Sequence, residues 1–383
     1  MTPQISRRDW LRAAGLAAVG TAFVGRGRLG AEEVEAPPPE GRHVNLAGNE
    51  NAFGPSPAVM QAIFKAAAWS SRYPFREEYV LKQMLAKREG VALENIVLGN
   101  GCDEILALAA AAHLGAGTEL VAAQPTYFQI TDYADKLGAK VKWVPFTKTM
   151  HHDLPAMAAA VGASTRLVYV CNPDNPSGTM RPAKEIETFC RKIAPRAPVF
   201  LDEVYLELGD DFAAQTQVPL VRAGLPVIIG RSFSKLHGLA GHRIGYAVTT
   251  PKLAAALARM QMSSVNYIGV AAARAALLDR EFPAWSRRKI IEGRTRFAGL
   301  LDELGLTYTP SHGNFIFHRT GMPMAEYQAQ MKAEGFLVGW PHAPVAGFED
   351  WCRTSIGTDA EMTAHAVAMR AVLTGRSKTA AKV

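Results

Sequence analysis

Cysteine is scarce in this chain: Cys102, Cys171, Cys190 and Cys352 stand far apart in 383 residues. No CxxC pair or Cys/His cluster is present, which excludes a zinc framework and a disulfide scaffold. Long apolar runs are missing too. The stretch from Ala13 to Val24 is too short for a helix that crosses a bilayer, so no stable membrane span is expected. There is no internal repeat or heptad array, and glycine and proline are frequent without being periodic, so fibrous and low-complexity classes drop out. Charge of one sign is not spread over the body. The formal excess is +7, from 42 basic and 35 acidic residues. Much of it lies at the start, where Arg7, Arg8, Arg12, Arg26 and Arg28 face only Asp9. The near-neutral remainder speaks against nucleic acid as a partner. What the chain does have is 48% hydrophobic residues over a length that allows a large core and two domains.

The basic opening followed by a short Ala/Leu/Val/Gly stretch fits an export signal. Ser6-Arg7-Arg8-Asp9-Trp10-Leu11-Arg12 resembles the twin-arginine address of bacteria. It implies the twin-arginine machinery as a partner and a periplasmic location, with a cytoplasmic one as the alternative. That route carries folded proteins, so a cofactor can be inserted before export. A signal over 1–31 and an acidic, proline-rich linker over 32–41 are expected, with the folded body starting near Arg42.

Along the body, apolar strand patterns alternate with helical ones. NIVLGNG, ELVAAQPTY, KVKWVPF, TRLVYVCNPDNPSG, PVFLDEVY and PVIIGRSFSK each read as a strand running into a polar or glycine-bearing turn. This alternation predicts an α/β fold with a mainly parallel sheet. The chemically interesting residues fall just past strand ends, where such sheets place ligands. Beyond residue 249 the pattern becomes helix-rich, with a long charged helix around 283–303. SHGNFIFHR and CRTSIGT read as strands of a smaller C-terminal domain.

The stretch GRSFSKLHGLAGHRIGY holds Ser232, Lys235 and Arg243. A lysine that follows a buried strand can be desolvated, which lowers its pKa and frees the amine to attack an aldehyde. A serine and an arginine can share one phosphate. The turn Gly101-Cys102-Asp103 precedes a helix whose free N–H groups can receive the same anion. Asp202, at the end of VFLDEVY, can pair with a protonated ring nitrogen. Tyr205 and Asn175 can hydrogen-bond a ring hydroxyl, and Tyr127 can stack on a flat ring. Taken singly, each of these has a plainer reading as a turn residue, a helix cap, a surface charge or a packing ring. Together they describe a site for an aldehyde cofactor with a phosphate tail.

In this combination and order the chain resembles the fold-type I aminotransferases, and within them the histidinol-phosphate aminotransferase group. NLAGNENAFGPSP, GNGCDE, PTY, NPDNPSG, DEVY, SFSKLHGLAGHRIGY and WCRTSIGT carry the likeness over about residues 43–370. The resemblance implies pyridoxal 5′-phosphate as cofactor, and a three-layer large domain with a mainly parallel seven-stranded sheet beside a smaller α+β domain. Expected boundaries are 42–70 for an N-terminal arm and part of the small domain, 71–275 for the large domain and 276–383 for the small one. It also implies roles. Lys235 would hold the cofactor and move the substrate proton, Asp202 would pair with the pyridine nitrogen, and Asn175 and Tyr205 would contact the ring oxygen. Tyr127 would stack on the ring. Gly101, Cys102, Asp103, Ser232 and Arg243 would surround the phosphate. Tyr73 would reach the neighbouring subunit's cofactor in a homodimer. Arg353 would clamp a substrate carboxylate, and Asn49, Phe53, Asn175, Asn314 and Trp340 would line the substrate pocket. The small-molecule partners would be an amino donor and a 2-oxo acid acceptor.

One segment departs from the pattern. The histidinol-phosphate group carries an arginine for the substrate phosphate after the strand that here reads GFLVG. This chain has Gly339 and Trp340 there, with His342 or His237 as weaker cations. The expectation is therefore a transaminase that prefers unphosphorylated amino acids, with Trp340 and Phe53 favouring aromatic or aliphatic side chains. The alternatives are histidinol-phosphate transamination itself, or a decarboxylase, lyase or racemase on the same fold. A non-catalytic binding protein is disfavoured by the intact set Lys235, Asp202, Asn175 and Tyr205.

Overall fold

The structure is a computed structural model that describes residues 43–209, 211–339 and 345–375. The arginine-rich start and its linker, Trp340, and His342 lie outside the described residues.

Seven strands form the central sheet: β2 (Ile96–Gly99), β3 (Glu119–Gln124), β4 (Lys140–Pro145), β5 (Thr165–Cys171), β6 (Val199–Asp202), β7 (Val227–Ser232) and β8 (Gly245–Thr249). Their order is β2-β8-β7-β6-β5-β3-β4. Strands β3 to β7 run parallel, and β8 lies antiparallel to both β7 and β2. The central strands are near-continuous apolar runs because helices cover both faces. Period-two alternation assigns their side chains to opposite sides. Val168, Val170, Val199 and Leu201 enter one core, and Leu167, Tyr169, Cys171 and Phe200 enter the other. Each buried valine, leucine or phenylalanine side chain stabilises the fold by about 1.5–3 kcal/mol. The covering helices are amphipathic at the matching spacing. In Ala183–Ile193 the buried residues are Ile186, Phe189, Cys190 and Ile193, one stripe at i, i+3, i+4, i+7.

The smaller domain holds two short sheets: β1 (Val44–Asn45) beside β10 (Phe336–Leu337), and β9 (Phe315–Arg319) beside β11 (Trp351–Ser355). Helices Glu281–Glu303, Met324–Ala333 and Asp359–Leu373 pack on them around Ile316, Tyr327, Cys352 and Met369. The last helix starts on a reciprocal cap between Thr358 and Glu361.

The α/β fold with a mixed, mainly parallel seven-stranded sheet and a smaller α+β domain agrees with expectation. The antiparallel β8 was not legible, because GYAVT is short and is preceded by the glycine-bearing segment that carries Arg243. Strand β9 starts at Phe315, four residues later than SHGNFIFHR suggested, since Ser311–Asn314 bends against the Gly178 turn. Among the described residues no helix is long and apolar enough to cross a membrane, and no group of three His, Cys, Asp or Glu side chains is placed to hold a metal ion.

Candidate active site

The carboxyl ends of β2, β5, β6 and β7 open onto a cavity of about 620 Å³. Its floor is the turn between β2 and the helix Cys102–His113. Gly101 takes φ +82°, a left-handed conformation that glycine adopts without strain, and no side chain caps the helix. The first N–H groups are thus available to an anion. The Arg243 guanidinium lies directly against this turn: a Cβ on Gly101 would fall 2.2 Å from its Nη2. Arg243 Nη2 also donates to Asp103 Oδ2 at 2.9 Å, and the Tyr127 hydroxyl donates to Asp103 Oδ1 at 2.9 Å. Ser232 and Ser234 line the same side, joined by a 2.9 Å hydrogen bond between their hydroxyls.

Lys235 follows β7 and points across the cavity, where Nζ donates to the Asn49 carbonyl at 2.9 Å. Desolvation, helped by the Arg353 charge, pushes its amine down to about 8. Asp202 ends β6 and is 3% exposed. Its Oδ2 accepts from the Tyr169 hydroxyl at 2.9 Å and its Oδ1 from the Val204 N–H at 3.1 Å. Burial pushes its carboxyl up to about 6 even so. Among the described residues it forms no ion pair, so this buried acid is placed to welcome a cation from the cavity.

The Tyr205 hydroxyl accepts from Asn49 Nδ2 at 3.0 Å and from Asn175 Nδ2 at 3.1 Å. Both lone pairs are used, so its own proton is free to be donated into the cavity. Burial raises this phenol well above its ordinary value. Asn175 Oδ1 in turn accepts from Arg353 Nη1 at 2.5 Å, and Arg353 Nη2 donates to the Ala47 carbonyl at 2.6 Å. The Arg353 Nε is buried and has no partner among the described residues. Both terminal nitrogens rest on neutral acceptors and Arg353 forms no ion pair among the described residues, so a guanidinium beside this cavity is suited to an incoming carboxylate or phosphate.

Thus Lys235, Asp202, Tyr205, Asn175, Tyr127, Cys102, Asp103, Ser232, Arg243, Asn49 and Arg353 all line one cavity, with Gly101 under its floor. Four expected residues sit elsewhere or act differently. Phe53 does not line it; its ring packs edge-on against Trp285 at 5.3 Å. Asn314 stands behind the wall, donating to the carbonyls of Asn49 and Glu50 at 3.0 and 2.9 Å. His237 belongs to the lysine loop itself but is buried away from the cavity, 5.2 Å from the Phe233 ring. Tyr73 is 77% exposed and stacks on Phe75, lining a separate depression with Asn266 and Tyr267.

Three contributors escaped the sequence reading. Tyr169 supports Asp202, and the signal was present: strand alternation puts Tyr169 and Cys171 on one face, and Cys171 is in register with Asp202. Ser355 Oγ accepts from the Asn49 N–H at 2.8 Å, a contact across 306 residues with no local signature. Glu50 lines the cavity, and nothing in NLAGNENAFG marks it as doing so.

Residues 42–369 match the family model for aminotransferase class I and II. A histidinol-phosphate aminotransferase of Moorella thermoacetica is 37% identical over 86% of this chain and 85% of its own length. Histidinol-phosphate aminotransferase 2 of Pseudomonas fluorescens Pf0-1 is 37% identical over 86% of this chain and 89% of its own. Among solved structures, the histidinol-phosphate aminotransferase of Sinorhizobium meliloti in complex with pyridoxal-5'-phosphate superposes with a TM-score of 0.82. It is 32% identical, over 87% of this chain and 92% of that one.

Proposed function

Because the chain belongs to the class I and II aminotransferases, we propose that it is a pyridoxal 5′-phosphate-dependent transaminase that moves the amino group of histidinol phosphate to a 2-oxo acid. One observation carries the reading: a lysine amine pushed down to about 8 faces the same cavity as a buried, unpaired aspartate and an arginine-and-helix anion cradle. These residues fit the cofactor part by part. Arg243, Ser232 and the N–H groups at Cys102 and Asp103 would hold its phosphate. Asp202 would face its ring nitrogen, Tyr205 and Asn175 its ring oxygen, and Tyr127 its ring face. Once bound, the cofactor supplies an electron sink for the bond broken at the substrate's Cα. Lys235 would hold the cofactor, yield to the donor amine, and then take the Cα proton as a base. Tyr205 would donate its free proton to the ring oxygen, and Arg353 would orient the substrate's anionic end.

Histidinol phosphate as donor rests on the relatives, which favour it over the preference for unphosphorylated amino acids read from the sequence. That second reading keeps one observation of its own. Gly339 offers no guanidinium, and a Cβ there would meet the Ala47 Cβ at 2.9 Å. Comparing histidinol phosphate with aromatic, aliphatic and acidic amino acids at one 2-oxo acid concentration decides between them. A larger kcat/KM for any free amino acid than for histidinol phosphate would remove the first reading. Release of carbon dioxide or ammonia without amine transfer would instead assign a different reaction on the same fold.

The assembly proposed is a homodimer. Phe64, Trp69, Tyr73, Phe75 and Tyr79 are all more than half exposed along one segment of the chain, an apolar surface suited to a second copy. Tyr73 would then serve the partner's cofactor. Export by the twin-arginine route is proposed from SRRDWLR, which precedes the family match at residue 42. Equal periplasmic recovery after changing Arg7 and Arg8 to lysine would remove that proposal.

A further inference from the structure

Not every charge facing the cavity belongs to the cofactor. In the transaminase reading Asp202 and Lys235 would serve its ring and aldehyde group, Arg243 and Asp103 would lie at its phosphate, and Arg353 would be left for a substrate anion. One charge remains, Glu50. It is exposed and lines the cavity, and it forms no ion pair among the described residues. Its Oε2 accepts from Asn45 Nδ2 at 3.2 Å, while Oε1 has no donor among the described residues.

The backbone under Glu50 is fixed from both sides. The preceding carbonyl, of Asn49, receives the Lys235 amine at 2.9 Å. Its own carbonyl accepts from Asn314 Nδ2 at 2.9 Å. The next residue, Asn51, donates through Nδ2 to the Lys235 and Leu236 carbonyls, both at 2.9 Å. The side chain lies back over Gly48, where a Cβ would come within 3.3 Å of its Cγ and Cδ. The carboxylate lines the same cavity as the reactive amine, close enough for its charge to act on Lys235, and it is anchored one residue along from the carbonyl that holds that amine. Consecutive Cα atoms are about 3.8 Å apart. Its free oxygen is an acceptor only, and it favours an N–H donor that carries or shares positive charge.

We propose that Glu50 is a specificity-determining residue, its carboxylate accepting a hydrogen bond from a nitrogen-bearing group, an imidazole above all, on the side chain of the amino donor. The proposal rests on the transaminase reading, to which it adds a means of choosing the donor. A phenyl or alkyl side chain offers this oxygen nothing, and a second carboxylate is repelled by it.

The test uses the full chain loaded with pyridoxal phosphate, as wild type, Glu50→Gln and Glu50→Ala. The readout is the ratio of kcat/KM for the imidazole donors histidinol and histidinol phosphate to that for phenylalanine. Glu50→Gln keeps the shape and removes the charge, and it should lower this ratio about tenfold, chiefly through KM. Glu50→Ala should lower it at least as far. An unchanged ratio in both variants overturns the proposal and leaves Glu50 a solvated rim charge. If the wild type transfers no amino group from any donor, the transaminase reading fails separately. Glu50 is then judged by calorimetry of histidinol binding to the loaded protein, where equal affinity in wild type and Glu50→Gln overturns the proposal and a roughly tenfold loss supports it.

Discussion

The Lys235 amine donates to the backbone carbonyl of Asn49 across 2.9 Å, which ties the lysine loop to the segment forming the opposite wall. Asn49 holds this carbonyl in a left-handed conformation, φ +51°, with its N–H on Ser355 and its side chain on Tyr205. Such strain in a non-glycine residue persists where surrounding contacts over-determine it.

The first prediction concerns that amine. Replacing Lys235 by alanine is expected to lower transamination by roughly a thousandfold or more. Borohydride reduction of the native protein should fix the cofactor to the peptide that carries Lys235 and to no other. The amine is the reactive form, and its pKa is near 8. Recombination of cofactor with stripped protein should therefore slow about tenfold for each pH unit below 8 and level off above it. A rate that is flat between pH 6 and 8 would show an amine that is not the rate-setting group.

The second prediction concerns Asp202 and its hidden support. Asp202→Asn removes the charge that a cationic ring nitrogen would meet, and turnover should fall about a hundredfold or more. Tyr169→Phe deletes only the 2.9 Å hydrogen bond that favours the ionised carboxyl. It should raise the Asp202 pKa and shift the acid limb of the kcat/KM profile to higher pH, with a smaller loss at the optimum. An unchanged profile in Tyr169→Phe would reduce that tyrosine to packing.

How much of this was legible depends on whether the signal is local. Lys235, Ser232 and Arg243 share one short stretch, and Asp202 closes an apolar strand, so residue type and position were enough to single them out. The parallel core was legible because strands buried on both faces read as unbroken apolar runs. Contacts between distant segments carry no such mark. Nothing in NLAGNENAFG states that Asn49 meets Tyr205 or Ser355, or that Asn314 stands behind it. Phe53 was expected in the pocket because the resemblance carried by NLAGNENAFGPSP implies it. Its direction was set by Trp285 on a helix more than two hundred residues away.

The third prediction tests the floor of the site. Gly101→Ala places a methyl where the Arg243 guanidinium now lies, at a φ that disfavours any side chain. Arg243 has to move, and the anion cradle loses its alignment. Cofactor affinity should fall roughly tenfold or more, by fluorescence or absorbance titration. The cofactor-free protein should keep its circular dichroism, since the turn lies at the rim of the sheet. Equal cofactor affinity in Gly101→Ala would mean that the phosphate is held elsewhere.

The last prediction concerns stability in acid and draws on the smaller domain. His318 and His365 are fully buried there, and both pack edge-on against Phe297, at 5.6 and 5.5 Å. Neither ring nitrogen of His365 has a partner among the described residues. Burial pushes His318 down to about 4 and, with the charge of His318 adding to it, His365 down to about 3. Both are neutral in the folded protein until the pH nears those values, whereas in the unfolded chain they take up protons below about 6.5. Protons then favour the unfolded state, so this contribution to stability is complete above pH 6.5 and is lost as the pH falls toward 4. The loss should be about 1.4 kcal/mol per group per pH unit, or roughly 2 kcal/mol for each histidine at pH 5. Urea midpoints measured from pH 8 to 4.5 should record that fall. His365→Leu keeps a core of similar size without the basic nitrogens, and its acid limb should be shallower by one group's share. Parallel curves for wild type and His365→Leu would show that this histidine is already protonated, or already exposed, in the folded state.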